Sequence, residues 1–314
     1  MTDPGWRREV RTDEPIDLRL TLGPLRQGAS DPCTRFADGG LWRATRTPAG
    51  PVTTFITEVP HASVIVGRAW GPGADWALDR LPALVGAEDA VEDFTSLIQS
   101  ADGVHPVVRH LHRQLRGLRM PRTAAVTEFA VPTILAQKVT GMEAKRSYCD
   151  LVLSLGEPAP GPGRARSLRV PPAPSVLAST PSWVFHRAGV ERKRADTIRL
   201  ACSYAHRLDE AVDLGIERAR VRLRALPGIG PWSEAEIIRT ALGDSDAVSI
   251  GDFHLPNQVA WALTGQPRGD DSGMLDLLEP YRGHRGRVQR LIEAAGVTAP
   301  RYGPRLAPAG NRDR

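Results

Sequence analysis

The sequence predicts an α+β protein, with a β-rich N-terminal α/β domain followed by an all-α domain. Three observations carry this reading. Short alternating or β-branched runs, punctuated by Gly and Pro, fill the first hundred residues. From Val104 the apolar spacing changes to that of helices. Finally, Leu226-Pro227-Gly228-Ile229-Gly230-Pro231-Trp232 sets a tight glycine turn between two helical patterns, and Gly251-Asp252-Phe253-His254 opens a third.

Residues 1–15 are polar and read as a disordered tail. Ile16 to Leu22 alternates strictly, which suggests a half-buried strand. Leu41 to Thr47, Val52 to Val59 and Ser63 to Trp70 are further strands, with turns at Gly39-Gly40, Pro48-Ala49-Gly50 and Pro60-His61. A helical piece follows from Ala74 to Leu84. Residues 16–102 are thus the expected β-rich domain and 103–297 the helical one, with a loose tail over 298–314.

In the helical part, Val107 to Leu115 precedes a break at Gly117-Leu118-Arg119-Met120-Pro121. Val131, Leu135, Val139, Met142, Cys149 and Leu153 trace one face of a long helix, with Pro132 near its first turn. A Pro/Gly/Arg-rich loop runs from Glu157 to Pro174. Arg192-Lys193-Arg194 opens a helix containing Ile198 and Ala201, and its basic run reads as a solvated face. The pair flanking the glycine turn, a helix after Asp252 and a segment from Leu275 to Ala295 complete the domain.

Composition sets the outer bounds. The chain has 314 residues, enough for one large or two moderate domains. A formal charge of +5 permits a polyanionic partner. Basic charge is almost all Arg, since Lys138, Lys145 and Lys193 are the only lysines. Cys33, Cys149 and Cys202 are far apart and form no CxxC, which argues against a disulfide framework or a zinc ribbon. No apolar run reaches membrane-spanning length, and the start is too polar for a signal peptide. The expectation is a soluble, cytoplasmic, nucleoid-associated monomer. His105, His110 and His112 lack an accompanying metal motif and read as structural or surface residues.

The glycine turn is built to expose backbone. Pro227 stops the helical pattern of Ile216 to Ala225, and Gly228 and Gly230 supply conformational freedom. Pro231 suits the first position of a new helix, and Ser233 with Glu236 fits a capping box. Unpaired N–H groups at such a turn, aided by the helix dipole, attract phosphate. Asp252 taken alone is a helix cap. Placed about twenty residues after a phosphate-binding turn, it becomes a candidate for chemistry.

At these residues the sequence resembles the helix–hairpin–helix, Gly/Pro-rich, aspartate superfamily of DNA glycosylases. Trp232 stands where bifunctional members carry a Schiff-base Lys and alkylation-repair members carry Trp. Val131-Pro132-Thr133-Ile134-Leu135-Ala136-Gln137-Lys138-Val139-Thr140 resembles the alkylation-repair pattern of an apolar helix ending in Gly-Gln-x-Val-Ser/Thr, with Ala136 in place of Gly. Leu155-Gly156-Glu157-Pro158 and Tyr281-Arg282-Gly283-His284-Arg285 resemble later segments of the same family. The likeness covers roughly residues 105 to 295. Four further positions depart from it: Tyr281 and His284 replace Trp, Glu236 replaces a Tyr one turn after Trp232, and Lys138 replaces an apolar wedge.

The resemblance implies a helix–hairpin–helix glycosylase core acting in base excision repair on double-stranded DNA with damaged bases. Leu226, Gly228, Ile229, Gly230 and Lys138 would contact DNA. Trp232, Phe253, Tyr281 and Gln137 would line the substrate pocket, where aromatic faces attract a cationic alkylated purine such as 3-methyladenine or 7-methylguanine. Asp252 would be the catalytic carboxylate. No cofactor is implied beyond a monovalent cation on the hairpin carbonyls, and the four-Cys cluster of the iron–sulfur glycosylases is missing. Two other readings use the same residues: a non-catalytic DNA-binding module in which Asp252 only caps a helix, and a bifunctional glycosylase/lyase, which needs a nucleophilic Lys.

Overall fold

A computed structural model describes residues 5–59, 62–100 and 103–300. The expected Pro60-His61 turn and residues 301–314 of the tail lie outside the described residues, as does the boundary at residue 102. An antiparallel sheet contains β1 (Trp6–Arg11), β2 (Thr34–Ala37), β3 (Gly40–Thr47), β4 (Gly50–Val59) and β5 (Val64–Trp70), in the order β1-β5-β4-β3-β2. Side-chain alternation divides its two faces. The register pair Leu41 and Ile56 joins a core with Val10 and Ile65. The next pair, Trp42 and Phe55, stacks on the other face with ring centroids 4.3 Å apart.

Three sequence expectations fail at this end of the chain. Trp6–Arg11 is an edge strand paired with β5, not part of a disordered tail. Arg7 and Arg11 are exposed and Arg8 reaches the Leu78 carbonyl and Asp79, while Val10 turns into the core, so the run looks polar in sequence. Ile16 to Leu22 contains a short helix, α1 (Leu18–Leu22), rather than a strand. The Asp17 carboxylate accepts the N–H groups of Arg19 and Leu20, and Leu18, Thr21 and Leu22 are buried at helical spacing. The expected Ala74–Leu84 helix is two pieces, α2 (Ala74–Asp79) and α3 (Leu81–Leu84), with Pro82 in the first turn of the second.

Helices then dominate: α4 (Val91–Ser100), α5 (Pro106–Gln114), α6 (Val126–Leu135), α7 (Gly141–Leu155), α8 (Pro162–Ala165), α9 (Pro174–Ser179), α10 (Ser182–Arg187), α11 (Arg192–Ser203), α12 (Ala205–Asp209), α13 (Ile216–Arg224), α14 (Pro231–Ala241), α15 (Leu255–Thr264), α16 (Asp271–Leu278) and α17 (Arg285–Ala294). The Glu157–Pro174 stretch is not a bare loop, since β6 (Glu157–Pro158) and β7 (Arg169–Val170) pair within it. The long helix expected through Val131 and Leu153 is two, α6 and α7. Thr140 and Glu143 form a reciprocal capping box that starts α7 afresh. Pro132 lies inside α6 rather than in its first turn. Among the described residues, no helix is long and apolar enough to cross a membrane.

Two helical cores matter for the site. One gathers α6, α7 and α11 with Leu223, Ile229, Ile237 and Ile238 from around the glycine turn. The other gathers α5, α15, α16 and α17, and takes Phe94 and Ile98 from α4 as well. Residues 91–100 therefore pack with the helices, across the sequence boundary expected near residue 102. The sheet docks on α6 through Glu128, whose carboxylate takes Arg43 at 2.5 Å and also accepts from Thr45. Asp89 and Arg287, both almost wholly buried, pair at 2.5 Å and tie the chain before α4 to α17.

Candidate active site at the glycine hairpin

The turn between α13 and α14 closes with the Ile229 N–H donating to the Leu226 carbonyl at 3.0 Å. Gly228 has φ +93°, and a Cβ there would sit 2.6 Å from Thr197 Oγ1. Gly230 is extended, and a Cβ on it would meet nothing within 4 Å. Its lack of a side chain is therefore not demanded by the fold. Among the described residues, the N–H groups of Gly228 and Gly230 have no protein acceptor. They stand at the positive end of α14, which Pro231 opens.

Packing and polar braces hold this turn. Ile229 is buried in the first helical core, with Leu226 against it. The Gln137 amide donates to the Gly228 carbonyl and to Ser233 Oγ, each at 2.8 Å. Gln137, expected on a pocket wall, thus spends both amide hydrogens on the hairpin. The expected Ser233–Glu236 capping box is absent, because Ser233 is buried against Gln137 and Glu236 turns to Arg239. Arg220 of α13 reaches the buried Glu234 at 2.9 Å and also pairs with the buried Asp244. The two hairpin helices are thereby clamped by charge.

Asp252 lies between the two helical cores. Its Oδ1 accepts the N–H groups of His254 at 2.7 Å and Leu255 at 2.9 Å, capping α15. Its Oδ2 accepts the indole N–H of Trp232 at 3.0 Å. Trp232 stands on α14, anchored in the first core by Ile237 and Ile238, whereas α15 belongs to the second through Leu255 and Val259. Asp252 is therefore a cap and something more. One oxygen is held by the backbone, and the other is presented to an aromatic side chain beside the hairpin. Phe253 is 76% exposed next to it, edge-on to His254.

Tyr281 does not belong to this group. It is 1% exposed, packed with the second core, and its hydroxyl accepts the His105 N–H at 2.9 Å. This corrects its expected pocket role: the turn that separates α16 from α17 rotates the ring inward, and burial raises its pKa. His284 leans on Phe94, and burial, then Arg287, push its pKa down. Lys138 is exposed with φ +56° and, among the described residues, has no charged partner. The basic run splits: Arg192 and Lys193 are exposed, while Arg194 is buried and donates to the Leu135 carbonyl. Of the three histidines, His105 caps α5 and His112 faces Thr95.

Sequence reasoning missed the group behind Asp252. Ser249 is fully buried, and its hydroxyl meets Glu236, Arg239 and Gln289. Nothing local marks these residues, because they come from α14, α17 and the loop between α14 and α15.

No family model matches the chain. The fold, a five-stranded sheet backed by helices with a glycine hairpin beside a helix-capping Asp, is shared with solved DNA glycosylases. By sequence it is similar to the probable bifunctional transcriptional activator/DNA repair enzyme AlkA of Mycobacterium tuberculosis, 30% identical over 252 residues, or 77% of this chain and 48% of that one. The chain thus spans about half the length of the curated relatives it matches. By fold it is similar to the 3-methyladenine DNA glycosylase of Archaeoglobus fulgidus, with TM-score 0.75, 16% identity and coverage of 91% and 97%. It is also similar to the 8-oxoguanine glycosylase/lyase of Clostridium acetobutylicum solved with DNA, with TM-score 0.68, 12% identity and coverage of 94% and 98%.

Proposed function

We propose that the protein is a monofunctional DNA glycosylase of base excision repair that hydrolyses the N-glycosidic bond of alkylated purines in double-stranded DNA. The observation that carries this reading is the contact between Trp232 Nε1 and Asp252 Oδ2 at 3.0 Å. By resemblance, Trp232 stands at the hairpin-helix position where a lyase needs its Lys, and among the described residues Asp252 pairs with Trp232, His254 and Leu255 and with no Lys.

The chemistry follows from that pair. A base inside a duplex must be flipped out, at a cost of a few kcal/mol that is smaller for a lesion. The free N–H groups of Gly228 and Gly230, on either side of Ile229 and just after Leu226, grip the phosphates beside it, and Lys138 adds a charge. Neutral hairpin carbonyls suit a monovalent cation, which would add positive charge at the same place. As the bond from C1′ to the base nitrogen breaks, the base leaves with the electron pair and the sugar gains positive charge. Asp252 stabilises that charge, orients the water whose oxygen bonds to C1′ and accepts the proton that this water gives up. An N-alkylated purine is already cationic and departs neutral, so no partner acid is required. Trp232 and Phe253 offer aromatic faces to that cation.

The test is release of free base from methylated duplex DNA by wild type and Asp252→Asn. Wild type is expected to release 3-methyladenine or 7-methylguanine, and the variant to lose activity on the order of 10² to 10³. Absence of release from both lesions defeats the substrate reading, and equal activity in the variant defeats the role of Asp252.

A further inference from the structure

We propose that Glu236 is a positioning residue for Asp252, acting through the buried hydroxyl of Ser249. This rests on the reading of Asp252 as the reacting carboxylate. Trp232, Glu236 and Arg239 fall at helical spacing on one face of α14, toward the loop that carries Asp252. Trp232 holds the carboxylate itself. Glu236 and Arg239 hold the other end of the same short turn.

Ser249 is 0% exposed, and its hydroxyl is saturated. It donates to Glu236 Oε1 and accepts from Arg239 Nη1 and Gln289 Nε2, each at 3.1 Å. Its backbone is held as well: the Ser249 N–H donates to Gln289 Oε1 at 3.2 Å, and its carbonyl accepts the Asp252 N–H at 3.2 Å. Fixing Ser249 therefore fixes the start of the turn that ends in Asp252. Arg239 bridges Ser249 to Glu236, which it meets at 2.6 Å. From α17, Glu293 faces Arg239 and is itself paired with Arg290 at 2.8 Å. From α16, the Asp271 carboxylate holds the Gly251 N–H. Glu236 is the carboxylate that accepts the Ser249 O–H hydrogen bond, and without it only the donors of Arg239 and Gln289 face the hydroxyl, which loses its acceptor.

Two measurements on the full chain test this. Hydrogen exchange reads the turn whether or not the protein excises a base. In Glu236→Ala, the amides of Asp252, His254 and Leu255 should exchange faster while those of the α11 and α17 interiors keep their protection. In single-turnover base release, the same variant should lose rate on the order of tenfold to a hundredfold, with affinity for abasic-site DNA unchanged. Glu236→Gln, which keeps an acceptor oxygen for Ser249, should restore most of the rate. Ser249→Ala should reproduce the loss, and the double variant should add nothing to it. Unchanged exchange at residues 252–255 in Glu236→Ala overturns the proposal. So does a uniform rise across the chain, which would mark a merely structural residue. A wild type that releases no base defeats the glycosylase reading, while the exchange arm still decides the positioning of Asp252.

Discussion

Trp232 and Asp252 are twenty positions apart and meet through one hydrogen bond, indole N–H to carboxylate, at 3.0 Å across the boundary between two helical cores. Their separation depends on how the two cores pack, which makes the bond a direct measure of whether the site is assembled. Trp232→Phe keeps an aromatic face but removes the N–H. A hydrogen bond to a charged group contributes about 1.5–3 kcal/mol, so single-turnover base release should fall roughly tenfold to a hundredfold. Binding to abasic-site DNA should change little. An unchanged rate would show that the indole only packs.

The two hairpin glycines should fail in different ways. Gly228→Ala forces a side chain onto a backbone at φ +93° and against Thr197. It should lower thermal stability by about 1–2 kcal/mol or more. Gly230→Ala meets nothing within 4 Å. It should melt like wild type yet bind duplex DNA more weakly, because a methyl group would stand beside the exposed N–H. Melting curves paired with salt titrations of binding separate the two effects.

Arg220 clamps Glu234 and Asp244, whose side chains are 5% and 6% exposed. Removing one partner of a buried ion pair strands the other charge, typically at about 3–5 kcal/mol. Arg220→Met should therefore be among the most destabilising single changes near the hairpin, as read by denaturant unfolding. Arg192→Met, on a 90% exposed side chain, should cost far less.

His112 and His284 should make stability fall in mild acid. Burial, reinforced by Arg287, pushes both below the usual histidine value. The folded state thus favours the neutral rings more than the unfolded chain does. That contribution is complete above the unfolded value of about 6.5 and is lost as pH falls through the lower folded values. Asp31 and Asp209, raised by burial, act in the opposite sense. Comparison with His112→Asn/His284→Asn isolates the histidines. Wild type should lose stability between pH 7.5 and 5.5 more steeply than the variant, and parallel slopes would refute the claim.

Local chemistry made much of this protein legible. β3, β4 and β5 begin and end within two residues of where alternation and turn residues place them. The hairpin is readable because Pro227, Gly228 and Pro231 each have a backbone reason to be there. Legibility failed where two periods fit the same residues. Ile16 to Leu22 alternates, yet its Asp17 cap and buried Leu18, Thr21 and Leu22 make it a helix. It failed again at Tyr281, where the family pattern suggests a pocket wall and the turn after α16 buries the ring instead.

What the sequence by itself determined is the set of local commitments: three of the strands, the glycine turn and the carboxylate at a helix entry. These depend on dihedral preferences and spacing within a few residues. Only the tertiary structure decided which of them meet. It joined Trp232 to Asp252, took Tyr281 away, turned Gln137 onto the hairpin and set Glu236, Arg239 and Gln289 around Ser249. Such contacts arise from packing separate helices against one another, and no residue's neighbours in sequence carry that information.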